Sequence, residues 1–264
     1  MDRLAFLIDC LKRENPRLAD LEIPSGMNDR RDLFRALRNI RPPAPVSDVF
    51  LRLQDEELQA QLEEKGVVDV TAHNSILFGH KLAGIGCAVW RGDITRLRVD
   101  AIVNAANSQM LGCFHPLHRC IDNAIHSAAG VQLREECHRL MMAQGHDEPT
   151  GAAKITAAYN LPCHHVIHTV GPIIKNGIPT LGQQRQLASC YNSIMALADR
   201  NALSSVALCC ISTGEFRFPN RLAARIAVSA VSDFFEKNPN SSIKQVIFNV
   251  FKDLDEAVYQ ELIS

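Results

Sequence analysis

The chemistry-bearing side chains of this 264-residue chain crowd into one stretch, Gly112-Cys-Phe-His-Pro-Leu-His-Arg-Cys120, continuing through Asp122 to His126. With 9 cysteines and 10 histidines in 264 residues, an average 14-residue window holds about one; residues 113–126 hold Cys113, His115, His118, Cys120 and His126. Thiolate and imidazole are the donors zinc prefers. In Cys113-x4-His118-x-Cys120 a bend shaped by Pro116 can aim three donors at one point, with His115 and His126 as candidates for a fourth. Three protein ligands and an open position describe a catalytic rather than a closed structural site. The alternative, buried thiols beside solvated imidazoles, is reasonable for any single member but strained for five on one short stretch. A second group, Cys163, His164, His165 and His168, falls on or beside a predicted strand. Alternation there sends neighbours to opposite faces, so those residues read as ordinary structure.

Three further segments suit ligand binding. Arg91-Gly-Asp-Ile-Thr95 is a glycine turn whose Asp93 could accept hydrogen bonds from a base amino group, or simply cap a turn. Asn104-Ala-Ala-Asn-Ser108 sets small residues between two amides, which permits close approach and lets an amide fix a sugar hydroxyl. Ile211-Ser-Thr-Gly-Glu-Phe-Arg-Phe-Pro219 offers hydroxyls, glycine and free backbone N–H groups before a helix, a seat for phosphate, with Phe216 and Phe218 available to line a sugar or base.

Each of these loops follows a predicted strand. Short β-branched runs predict strands at Cys87–Arg91, Asp100–Asn104, Ile155–Tyr159, Val166–Val170, Val206–Ile211 and Val246–Phe251. Helices are predicted over Asp122–Ala129, Leu133–Ala143, Leu181–Arg200 and Pro219–Lys237, the third opened by a Thr180…Gln183 capping box. Alternating strands and helices imply an α/β fold with a mainly parallel sheet covered on both faces, whose ligands gather at the carboxyl ends of the strands. Residues 1 to about 70 instead show helical spacing, with Ser47 as an N-cap, Gly66 as a stop and Arg41-Pro-Pro-Ala-Pro45 as an extended connector. A net charge of −1 argues against gripping nucleic acid by charge, and no apolar run is long enough to span a membrane. The charged start from Met1 to Glu14 shows no secretory signal, and an odd, scattered set of cysteines suits reduced thiols; a cytoplasmic protein is expected.

Taken together, Gly92-Asp-Ile-Thr95, Asn104-Ala-Ala-Asn107, Ile125-His-Ser-Ala-Ala-Gly130, Val166-Ile-His-Thr-Val-Gly-Pro172 and Ser212-Thr-Gly-Glu-Phe-Arg-Phe-Pro219 resemble, in content and order, the macrodomain family of ADP-ribose binders and hydrolases. Where many members carry a glycine run after the Asn-Ala-Ala-Asn strand, this chain has Cys113 to Cys120, which is similar to the zinc-containing branch with its helical N-terminal extension. The resemblance implies a macrodomain-like three-layer α/β/α sandwich with a mixed, mainly parallel sheet over residues 73–264, and a helical extension over residues 1–72. It implies one zinc ion on Cys113, His118 and Cys120, and ADP-ribose as ligand. Asp93 and Ile94 would meet the adenine, with Phe251 against it; Ser212, Thr213, Gly214, Glu215 and Phe216 would cradle the diphosphate. Asn107 would hold the distal ribose, and Asp122 would be the catalytic aspartate. The implied activity is removal of mono-ADP-ribose from modified proteins, probed against two alternatives: a non-catalytic ADP-ribose reader with structural zinc, and an O-acetyl-ADP-ribose deacetylase. A sirtuin-type ADP-ribosyltransferase is the implied partner in some members. Glu215 and Arg217 stand where small residues are usual, and a carboxylate there is expected to point away from phosphate. The extension is expected to cover a flank of the sheet.

Overall fold

A computed structural model describes residues 2–69 and 80–264. Three helices come first: α1 (Arg3–Arg13), α2 (Met27–Ile40) and α3 (Asp48–Lys65). Ser47 caps α3 by accepting the Phe50 N–H at 3.2 Å, and Gly66, at φ 76°, turns the chain out of it. Leu4, Leu7, Ile8 and Leu11 recur on one face of α1 and close on Phe34 and Leu37 of α2 and Phe50 and Leu53 of α3, a small core of their own. The expected boundary at residues 72/73 lies outside the described residues.

The remaining elements are β1 (Val68–Asp69), β2 (His80–Leu82), β3 (Ile85–Arg91), β4 (Leu97–Arg98), β5 (Ala101–Ala105), α4 (Ile121–Ala129), α5 (Val131–Gln144), β6 (Ala153–Ala157), β7 (His165–Thr169), α6 (Leu181–Arg200), β8 (Ser205–Leu208), α7 (Asn220–Lys237), β9 (Gln245–Val250) and α8 (Asp253–Ile263). Seven strands form a sheet in the order β2-β3-β9-β8-β5-β7-β6, while β1 and β4 pair separately. The run from β3 to β7 is parallel, and β2 and β6 join its edges antiparallel. Helix α7 packs between α6 and α8, while α4 packs on α5 as a separate pair, so the helices cover the sheet on both faces. This is the expected three-layer sandwich.

Some boundaries differ from the sequence reading, each for a local reason. The strand expected to run to Tyr159 ends at Ala157, because Tyr159 adopts φ 55° and cannot continue a ladder. The strand expected to reach Ile211 ends at Leu208; the Ile211 N–H turns back onto the Cys209 carbonyl at 2.9 Å. Helix α8 escapes the sequence reading, although Asp253, Asp255 and Glu256 in its first turn and buried Val258, Tyr259 and Ile263 carry the signal. No helix among the described residues is long and apolar enough to cross a membrane.

The extension packs through α2 on α4, while β1, which follows α3, pairs with β4. The seam is polar. Arg38 of α2 donates to the Ser127 carbonyl at 2.8 Å, and Gln54 of α3 exchanges hydrogen bonds with Gln132 and the Val131 N–H.

Candidate active site

The loops that sequence patterning singled out all leave the carboxyl ends of the parallel strands. The strand order lays them out in a row. The Asp93 turn follows β3; Phe251 follows β9; Ser212–Phe218 follow β8; Asn107 and the cysteine–histidine segment follow β5. Pairing of Arg91 with Val250 sets the Asp93 turn beside Phe251. Three strand steps from β3 to β5 span about 14 Å at the usual interstrand spacing, room for an extended ligand.

At the β3 end, Asp93 Oδ1 accepts from the Thr95 N–H at 3.0 Å and its hydroxyl at 2.6 Å, a cap, while its other oxygen lies 4.0 Å from Lys65 Nζ. Ile94 is buried, so its side chain serves the core. Phe251 is 82% exposed, an open aromatic platform.

The β8 loop closes on itself: Phe218 N–H donates to the Ser212 carbonyl at 2.9 Å and Arg217 N–H to the Gly214 carbonyl at 3.0 Å. Phe218 is buried in the core, which corrects the idea that it lines a ligand; Phe216 is half-buried. Ser212 and Arg217 sit at φ 64° and 58°. A Cβ on Gly171 would come within 2.0 Å of Ser212 Oγ, so only glycine lets the loop lie this close. The backbone N–H groups of Gly214, Glu215 and Phe216 donate to no protein acceptor among the described residues, and Ser212 Oγ is buried without a partner. Unspent donors on a tight loop are what an oxyanion needs.

At the β5 end, Cys113, His118 and Cys120 bring their donor atoms within 4.8 Å of one another. The Cys113 Sγ to His118 Nδ1 separation is 3.6 Å. Tetrahedral zinc with Zn–S of about 2.3 Å and Zn–N of about 2.0 Å requires about 3.5 Å between sulfur and nitrogen, close to that separation. Cys120 caps α4, accepting the Asn123 N–H at 3.4 Å, so the helix N-terminus favours its thiolate. Burial, and the neighbouring Cys113 and Asp122, push the Cys120 thiol well up. A cation among the three donors would relieve that cost, so the residues fit zinc. Neither His115 nor His126 joins this group.

Asp122, in the first turn of α4, is buried, and burial pushes its carboxyl up to about 6 against the pull of the Asn104 hydrogen bond and Arg134. Its Oδ1 accepts from Asn104 Nδ2 at 2.8 Å; its Oδ2 lies 3.5 Å from Asn107 Nδ2. Asn107 also donates to the Gly112 carbonyl at 3.0 Å and accepts the Gln109 N–H, shaping the turn that leads to Cys113. Beneath lies a network that sequence reading missed: His168 meets Asn104 through Nδ1 at 3.1 Å and Thr156 Oγ1 through Nε2 at 3.0 Å. His126, Cys137 and His168 also lie close together, but both His168 nitrogens are engaged, and the trio forms a buried floor. Cys163, His164 and His165 do not join this group; His168 converges with residues of α4 and α5, which sequence distance hides.

Glu215 resolves its own difficulty. Its exposed carboxylate reaches toward the outer nitrogen of His118, with Oε1 3.7 Å from Nε2. Nδ1 faces the sulfur, so Nε2 faces the carboxylate, the arrangement by which a second carboxylate orients a metal-bound imidazole.

The Macro domain family model matches residues 103–227. A Treponema medium protein named protein-ADP-ribose hydrolase is 50% identical over 100% of this chain and 98% of its own length. The chain belongs to the macrodomain family. A Staphylococcus aureus protein-ADP-ribose hydrolase (strain MSSA476) is 46% identical over 98% of this macrodomain and 94% of its own length. Among solved structures, the Trypanosoma brucei macrodomain in complex with ADP-ribose is similar with a TM-score of 0.60 at 28% identity, covering 86% of this macrodomain and 94% of that chain.

Proposed function

We propose that this macrodomain is a zinc-dependent protein-ADP-ribose hydrolase. It removes mono-ADP-ribose from modified proteins by cleavage at C1″ of the distal ribose, the linkage being an ester to Asp or Glu. One observation carries the reading: along a single sheet edge stand an aromatic platform with a carboxylate, a loop of unspent N–H groups, and a metal-type donor set beside a buried carboxylate. That order matches adenine, diphosphate and distal ribose. Relatives named for this hydrolysis along nearly their whole length support it.

Phe251 and Asp93 take the adenine, with Ile94 packed beneath. Ser212, Thr213, Gly214, Glu215 and Phe216 present backbone to the diphosphate. This remote binding positions the reacting carbon. Asn107 orients the ribose, and Asp122, ionised at neutral pH with a carboxyl pushed up to about 6, accepts the proton of the attacking water. Zinc held by Cys113, His118 and Cys120 would supply Lewis acidity at a water or ribose hydroxyl. The water oxygen bonds to C1″ as the C1″–O bond to the acceptor breaks. The acceptor carboxylate departs as an anion, so no general acid is required. A sirtuin-type transferase is the proposed source of the mark.

The test is release of ADP-ribose from protein modified on acidic residues, with metal analysis of the purified chain. One equivalent of zinc is expected, absent in Cys120→Ala, and rates should fall at least about 100-fold in Asp122→Asn or after chelation. Undiminished turnover after complete zinc removal would reject the metal; tight ADP-ribose binding without release over hours would make the chain a reader.

A further inference from the structure

The segment from Gly112 to Cys120 contains no helix or strand, and inside it only one backbone hydrogen bond forms, His118 N–H to the His115 carbonyl at 3.3 Å. Leu117, immediately before His118, sits at φ 55°, a left-handed conformation that costs a branched side chain energy. Such a residue keeps its conformation only where its surroundings over-determine it. The surroundings here come from the helical extension. Asn39 of α2, 2% exposed, accepts the Leu117 N–H through Oδ1 at 3.0 Å while donating to Ser127 Oγ at 3.0 Å. Arg35, one turn earlier, donates through Nη2 to the His118 carbonyl at 3.1 Å and to Asn123 Oδ1 at 2.7 Å. Asn123 in turn donates to the His115 carbonyl at 3.0 Å.

Helix α2 is a firm base for these contacts. Phe34 and Leu37, between and beside Arg35 and Asn39, lie in the extension's core. Its carboxyl end is bolted down by Arg134 of α5, which donates to the carbonyls of Arg38 at 2.9 Å and Asn39 at 3.0 Å. The same guanidinium reaches the Leu111 carbonyl at 2.6 Å and lies 4.3 Å over the Phe114 ring. The backbone on both sides of the His118 imidazole is therefore referenced to the extension.

We infer that Arg35 and Asn39 are positioning residues for the His118 ligand, so the extension is part of the metal site and not a cover. This rests on the zinc reading proposed above. Neither residue touches substrate; each acts by fixing the loop that aims the imidazole. Outer-shell partners of metal ligands typically change metal affinity by about 10–100-fold.

The experiment uses the full chain with Arg35→Ala, Arg35→Lys and Asn39→Ala. It measures zinc affinity by competition with a chromophoric chelator, ADP-ribose affinity by calorimetry, kcat and KM at limiting and excess zinc, and thermal melting. Zinc affinity is expected to fall about 10–100-fold in both alanine variants. The kcat should drop at limiting zinc and recover with excess, while KM and ADP-ribose affinity change by less than about twofold. A lysine keeps the charge but loses the guanidinium's second contact to Asn123 Oδ1, made through Nε at 3.3 Å, and its planar fork, so Arg35→Lys should lie between wild type and Arg35→Ala. Half-buried Arg35 keeps the inference testable if the buried Asn39→Ala variant fails to fold. Folded variants with wild-type zinc affinity and kcat would overturn it, as would parallel loss of zinc and ADP-ribose affinity. A wild-type chain without stoichiometric zinc would overturn the zinc reading itself, and this inference with it. That outcome is distinguishable because it appears before any variant is made.

Discussion

The two loops that meet at the ribose end are held in opposite ways. Loop 212–218 is closed by its own backbone, Phe218 to Ser212 and Arg217 to Gly214, and anchored by one buried ring. Loop 112–120 spends almost nothing on itself and borrows side chains from α2, α4 and α5. The first geometry is encoded largely within the loop, with Gly171 leaving it room and the Ile174 N–H donating to the Phe216 carbonyl at 2.8 Å. The second needs partners about eighty residues away, Asn39 to Leu117 being separated by 78 and Arg35 to His118 by 83. A diphosphate asks only for a fixed pattern of N–H groups, which local turns can supply. A metal needs three side chains at set distances, and a loop without its own ladder holds them only if something rigid lies behind it.

That contrast predicts separable failures. The largest effect should come from Gly171→Val, which drives a side chain into Ser212 Oγ and Ile211 Cγ2, 2.0 and 2.7 Å from the first added atom. ADP-ribose affinity should fall about 100-fold or more by calorimetry, as expected when steric displacement spoils several convergent donors. Zinc content should stay at the wild-type level; its loss as well would mean the loops are not independently held.

The buried His168 floor beneath the Asn104–Asp122 pair should show its own dependence on pH. Burial lowers the His168 pKa to about 3, whereas an unfolded histidine titrates near 6.5. The neutral ring therefore contributes stability that is complete above about pH 6.5 and lost as pH falls toward 3, with about 2 kcal/mol gone by pH 5. Chemical denaturation from pH 7 to 5 should show the wild type losing stability, and His168→Gln following a shallower slope. Parallel slopes would remove His168 from the account. A smaller and more selective change is Gly112→Ala. Gly112 sits at φ 78°, and an added Cβ would come within 2.8 Å of the buried His126 ring. Strain of about 1–2 kcal/mol at the mouth of the metal loop should weaken zinc about tenfold while ADP-ribose affinity moves less than threefold.

The same contrast marks how far the sequence can be read. Helix α6 matches its expected bounds, Leu181–Arg200, because its capping box is local: Gln183 N–H to Thr180 Oγ1 at 3.2 Å, with Thr180 N–H returning to Gln183 Oε1 at 2.8 Å. Strand identities are legible from β-branched runs, and their ends less so where a single left-handed residue such as Tyr159 stops the ladder. Cys113, His118 and Cys120 announce themselves by type and spacing. Arg35 and Asn39 do not: they are ordinary polar residues on an amphipathic helix, and only tertiary packing turns them toward the loop. His168 is hidden for the same reason, since its partners Asn104 and Thr156 come from neighbouring strands.

Glu215 makes an ion pair between the two loops, and its removal gives the finest test of their separation. The carboxylate is 73% exposed and 3.7 Å from His118 Nε2, so solvent and salt screen much of the attraction. Glu215→Gln should therefore weaken zinc by only about threefold, below the usual range for an enclosed carboxylate partner. The difference should shrink further as salt is raised from about 0.05 to 0.5 M, where the Debye length contracts severalfold. ADP-ribose affinity should rise slightly, because a negative charge near the diphosphate is gone. The two changes have opposite signs, which loss of packing cannot produce. If zinc and ADP-ribose affinities both decline in the variant, Glu215 is shaping the β8 loop rather than steering the imidazole, and the two loops are coupled through structure instead of charge.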